Sequence, residues 1–251
     1  MWYSRYSKYW VYLFGTNKNM RKLDFANNHY YHIYNRGADK RIIFEDNGDY
    51  VRFIHYLYEL NDTLETSNLS RSINTHLNEG GEASFIKHKR EREKLVNIIC
   101  FCLMPNHYHL ILEQLVEGGI SKFMQKLGTA YTMFFNTKYK RSGVLFQGVF
   151  KAILIDSDGY LLQLFRYIHL NPLEKIGYNV AKNIKDWHEA NNFLESFKWS
   201  SYLDYINKNN FPSVTSRDFI NKFFPSAEKH QYFINQFTGD DYHKVKSIII
   251  E

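Results

Sequence analysis

The segment that most constrains the fold of this chain is a pair of strand-like runs separated by a very short turn. Leu95 to Leu103 is a dense apolar run of strand length, and after Met104-Pro105-Asn106 comes His107-Tyr108-His109-Leu110-Ile111-Leu112-Glu113. Two such runs joined so closely pair as antiparallel neighbours. Upstream, Asn28 to Asn35 reads as an aromatic, β-branched strand that ends at the turn Arg36-Gly37-Ala38-Asp39. From Asp46, Tyr50, Phe53, Ile54, Leu57 and Leu60 recur at intervals of three and four, which predicts a helix behind an acidic N-cap.

Downstream, Gly118-Gly119 precedes a stretch with Ile120, Phe123, Met124, Leu127, Ala130, Tyr131 and Phe134 on one helical face. Val144 to Ile155 reads as one extended segment or a hairpin. Asp156-Ser157-Asp158 offers N-caps for a third helix, in which Leu161, Leu164, Tyr167, Ile168 and Asn171 keep helical spacing up to Pro172. The order β, α, β, β, α, β and then a helix predicts an α+β fold. Its core is a ferredoxin-like (split βαβ) antiparallel sheet with helices on one face. Beyond Gly177 the pattern weakens into a C-terminal helical extension, with one helix around Tyr202 to Ile206 and another over Asp218 to Phe224.

Three regions follow. Residues 1–25 form an N-terminal extension; Met20 leads into an ordinary cytoplasmic start, so the part before it reads as an upstream in-frame addition. Residues 26–177 form the main domain, interrupted at about 61–94 by a polar insertion. Residues 178–251 form the extension. The insertion carries Gly80-Gly81 and the mixed-charge run Lys87 to Glu93, which reads as a solvated surface or a phosphate contact.

Composition sets wider limits. With 44% hydrophobic residues, 4 Pro and 13 Gly in 251 residues, the chain has enough apolar surface for a core, which excludes a disordered or collagenous protein. Cys100 and Cys102 lie two apart in a strand, where parallel side chains suit buried thiols and not a disulfide, so a cytoplasmic setting is expected. No apolar run approaches the roughly 20 residues of a membrane span. A net charge of +6 with 18% aromatic residues admits a nucleic-acid partner whose bases stack on rings, but A/T-rich coding accounts for most of those rings equally well.

Two constellations carry chemistry. His107 and His109, separated by one strand residue, project from the same face and can reach one divalent ion; a merely polar sheet face is the alternative. Tyr167 and Asn171, four apart on a helix, can converge on one point, although Tyr167 taken alone reads as an amphipathic core residue.

The string Cys102 to Leu110 (Cys-Leu-Met-Pro-Asn-His-Tyr-His-Leu), then Leu145-Phe146-Gln147 with Phe150-Lys151, then Tyr167-Ile168-His169-Leu170-Asn171-Pro172, resembles the single-tyrosine HUH transposases. It is most similar to the branch associated with repetitive extragenic palindromes. The resemblance runs from about Asn28 to Gly177 and continues into Trp199-Ser200-Ser201-Tyr202; the long 61–94 insertion is a departure. It implies that 26–177 is a catalytic domain with Tyr167 as nucleophile, His107, His109 and Asn171 as metal ligands, and Mg²⁺ or Mn²⁺ as the ion. The implied reaction is cleavage and rejoining of single-stranded hairpin DNA through a 5′-phosphotyrosine, performed by a monomer or homodimer at the nucleoid.

DNA contacts are expected from Lys122, Lys126, Lys138, Lys140, Arg141 and Lys151, because Asp156 is the only acidic residue between Gly118 and Asp156. His169 lies on a different helical face from Tyr167 and is read as structural. Two rival readings remain at this point: a non-catalytic DNA-binding regulator of palindromic repeats, and a metal hydrolase of another class.

Overall fold

The computed structural model describes residues 23–63 and 92–246. Most of the N-terminal extension, including Met20, and most of the 61–94 insertion, including Gly80-Gly81, lie outside the described residues.

Four strands form one antiparallel sheet: β1 (Tyr30–Arg36), β2 (Val96–Met104), β3 (His107–Gln114) and β4 (Lys151–Ile155), in the spatial order β2-β3-β1-β4. With α1 (Asn47–Glu59) between β1 and β2, and α2 (Gly119–Lys138) between β3 and β4, this is the split βαβ arrangement that the pattern predicts. The β2–β3 hairpin is the one foreseen, with a bulge between Ile98 and Cys100. The expected extended stretch from Val144 is shorter in fact. Only Lys151 to Ile155 is a strand, while Phe146 makes one antiparallel bridge to Gly37.

Local chemistry sets the helix ends. Asp46 caps α1 by accepting from the Asp49 amide, and the Asp49 carboxylate accepts in return from the Asp46 amide, a reciprocal capping box. At the start of α2, Gly118 adopts a left-handed φ of 66°, and a Cβ on Gly119 would lie 2.4 Å from the Leu95 carbonyl oxygen. The glycine pair therefore lets the helix enter close beside β2. Asn61 joins α1 to the sheet by accepting from the Leu95 and Val96 amides and donating to the Val96 carbonyl.

Strand alternation gives the sheet two different faces. One carries Ile33, Phe101, Leu103, Leu110 and Leu112, covered by α1 and α2 through Phe53, Leu57, Phe123 and Leu127. Leu23 and Phe25 pack against this same core, with Phe25 edge-on to Tyr31, so the folded unit begins before residue 26. The other face carries Cys100, Cys102, Met104 and Ile111, and is covered by α3 (Asp158–Leu170). Ser157 caps α3, one of the three caps anticipated. Cys100 and Cys102 are free and buried.

The C-terminal part packs on this second face through α4 (Trp187–Ser196), α5 (Tyr202–Tyr205), α6 (Asp218–Phe223), α7 (Ala227–Asn235) and α8 (Gly239–Lys246). Before α5, residues 199–201 lie along the outer edge of β2. The Leu103 amide donates to the Trp199 carbonyl and the Ser201 amide to the Phe101 carbonyl. An edge strand that would otherwise expose unpaired amides is thereby covered. No helix among the described residues is long and apolar enough to cross a membrane.

Candidate active site

The second face of the sheet positions the histidine pair. His107 and His109 stand opposite Met104 and Cys102 on β2, and opposite Arg36 and Tyr34 on β1. Their ring centroids are 5.1 Å apart, edge to face. Helix α3 crosses the same face and brings Tyr167 edge-on to His109 at 6.2 Å between centroids. One turn later the Asn171 amide donates to the Tyr167 hydroxyl at 3.2 Å, the convergence that helical spacing anticipates.

Both histidine rings are tied through Nδ1. His107 Nδ1 lies 2.6 Å from the Asn106 amide oxygen, and the Asn106 amide nitrogen donates to the Lys40 carbonyl. His109 Nδ1 lies 2.9 Å from Nε2 of His32, a completely buried ring on β1. Burial pushes His107 down to about 4, helped by the positive charge of Arg36, while Asn171 works weakly in the other direction. Burial also drives His109 well below the usual histidine range and His32 to about 3. Near neutral pH these rings are uncharged, the state in which an imidazole nitrogen can ligate a metal.

The fit to a divalent ion can be judged from the donors. Asn171 is almost completely buried beside His107, and among the described residues no donor meets its carbonyl oxygen in good hydrogen-bonding geometry. A buried orphan acceptor beside two neutral imidazoles suits a cation. Among the described residues no group of three or more His, Cys, Asp or Glu could hold a metal. An ion held here would therefore have two imidazoles and one amide as its protein donors.

Tyr167 has no exposed surface. Above it lies α8, whose Tyr242 ring is 6.0 Å from that of Tyr167. Asp241 pairs with Arg166 at 3.0 Å, and Arg166 also donates to the Phe233 carbonyl of α7. The neighbouring His169 faces away from the histidine pair and bonds the Ser201 hydroxyl at 2.8 Å, which links α3 to the Trp-Ser-Ser segment on β2.

Of the six basic candidates, Lys151 is the one on the same sheet face as the histidines, 5.9 Å above the Tyr34 ring. Lys122 and Lys126 donate to the Thr63 and Asp62 carbonyls from α2, on the far side of the sheet. Lys138 is paired with Asp46 and with the buried Asp49. Arg141 donates to Asn136 and Val144, and Lys140 is exposed in the loop that follows α2. The Leu145-Phe146-Gln147 segment meets the end of β1 beside His107, where the Gln147 amide donates to the Arg36 carbonyl.

Residues 70–171 match the IS200-like transposase family. That stretch contains the first two motifs and Tyr167 to Asn171 of the third, so the resemblance read from the sequence is borne out. No curated protein matches. A solved structure described as the REP-associated tyrosine transposase bound to a REP hairpin is similar at 13% identity and a TM-score of 0.43, over 80% of this chain and 92% of that one.

Sequence reasoning passed over His32, Arg36 and Tyr242. For the first two a signal existed: His32, Tyr34 and Arg36 share one strand face by alternation, and the register sets that face beside the histidine pair. Tyr242 carried no local signal, because its role comes from how α8 packs.

Proposed function

We propose that this IS200-like transposase chain is a metal-dependent single-stranded DNA endonuclease and strand transferase acting on hairpin DNA. The observation that carries the reading is the convergence of Tyr167 from α3, and of Asn171 just after it, on the imidazoles of His107 and His109. In the reaction the Tyr167 oxygen bonds to the scissile phosphorus, the bond from phosphorus to the 3′-oxygen breaks, and that oxygen leaves as a hydroxyl after taking up a proton. The 5′-phosphotyrosine keeps the bond energy, so attack by a 3′-hydroxyl reverses the step without an external energy source.

His107, His109 and Asn171 would hold Mg²⁺ or Mn²⁺, which when bound draws charge from the phosphate oxygens. Asn171 also orients the nucleophile by donating to the Tyr167 oxygen. Lys151 and Arg36, on the histidine face, supply positive charge for the strand, and affinity should fall steeply with salt.

The full burial of Tyr167 favours a second reading, a DNA-binding regulator without catalysis. A covalent assay separates the two. With Mn²⁺ and a set of hairpin oligonucleotides, the wild type is expected to give an adduct that survives a denaturing gel, and Tyr167→Phe to give none. Hairpin binding without any adduct would favour the regulator, and an adduct from Tyr167→Phe would remove the nucleophile assignment.

A further inference from the structure

We infer that His32 is a positioning residue for the histidine pair: it holds His109 with its proton on Nδ1 and so leaves Nε2 as the lone-pair nitrogen. This rests on the metal-dependent reading above.

The partner of His107 fixes its tautomer. The Asn106 oxygen can only accept, and its amide is oriented by the bond from Nδ2 to the Lys40 carbonyl. The single proton of a neutral His107 therefore sits on Nδ1, and Nε2 is bare. His109 has the same arrangement with a different partner, since its Nδ1 faces the Nε2 of His32 at 2.9 Å with the rings within 18° of parallel.

Either ring could supply that proton. If His32 donates, the proton of His109 moves to Nε2, and the pair offers one bare nitrogen and one N–H. If His32 accepts, both histidines offer a bare Nε2, the matched arrangement that ligation by two imidazoles requires.

The surroundings of His32 argue that it is kept for this bond. Its ring is fully buried and stacked on Tyr34, and its Nδ1 has no hydrogen-bond partner among the described residues. An orphaned buried nitrogen costs stability whichever way the shared proton lies, so packing alone would favour an apolar ring at this position. Among the described residues, the only hydrogen bond that His32 makes through its side chain is to His109. Nothing in the residue types marks it out, since it sits in the run His-Tyr-Tyr-His-Ile-Tyr, where any ring satisfies a strand.

Two measurements test this. In metal-free wild-type protein, long-range nitrogen–proton NMR correlations are expected to show His109 as the Nδ1–H form; the Nε2–H form would overturn the proposal. By titration calorimetry with Mn²⁺ alone, His32→Phe is expected to weaken binding at least tenfold. His32→Gln, whose side-chain oxygen can replace the accepting nitrogen, is expected to restore most of it. Wild-type affinity in a folded His32→Phe, or no recovery in a folded His32→Gln, would overturn the proposal. If neither variant folds, the wild-type tautomer decides. If the wild type binds no Mn²⁺, the metal-site reading fails, and the tautomer still decides the role of His32.

Discussion

For Tyr167 to meet a phosphodiester, α8 has to leave it. Its fully buried ring packs against a helix held by Tyr242, by the fully buried Val245 and by the Asp241–Arg166 pair. Exposing the two apolar side chains costs on the order of 4 kcal/mol, and the ion pair, which regains water on opening, adds about 1. At that cost about one molecule in several thousand is open without DNA. In Tyr242→Ala roughly 2 kcal/mol of this closure is lost, so the open fraction rises about thirtyfold. The assay is single-turnover formation of the covalent adduct with saturating hairpin and Mn²⁺, where the adduct forms only from an open state in rapid equilibrium with the closed one. The initial rate should rise in that proportion. A folded Tyr242→Ala protein with an unchanged or slower rate would refute the argument that α8 gates Tyr167.

Other expectations follow from the same contacts. Asp49→Ala removes the buried member of the Lys138 pair and half of the α1 capping box, so unfolding free energy should drop by about 3 kcal/mol in denaturant melts. Hairpin affinity per folded molecule should not change. Lys151→Ala should weaken hairpin binding and reduce the slope of log affinity against log salt by about 1, whereas Lys138→Ala should lower stability and leave the slope alone.

Acid should destabilise the fold through its buried histidines. Burial holds His32 and His169 near about 3 and His230 near about 4, whereas in the unfolded chain these groups take up protons around the ordinary 6.5. The unfolded state then binds more protons, so the contribution is complete above the ordinary value and is lost as pH falls toward the folded ones. The melting temperature should decline between pH 6.5 and pH 4, and a flat profile over that range would contradict this.

The sequence by itself determined whatever depends on a few consecutive residues. Alternation set His107 and His109 on one face of the hairpin, and helical spacing brought Asn171 to Tyr167, because backbone geometry fixes which neighbours share a face. The order of these periodicities was enough for the split βαβ sheet, and the three motifs for the resemblance to the IS200-like transposases that the family match supports. Tertiary structure alone decided the rest. The register between β1 and β3 set His32 against His109, and the pairing of Lys138 with Asp46 and Asp49 fixed it to α1. The helices α4, α7 and α8 were not legible, since they are short and their order comes from burying weakly periodic faces on the second side of the sheet. The cover over Tyr167 belongs to this last class. It depends on a sum of contacts between segments more than sixty residues apart, which no local pattern encodes.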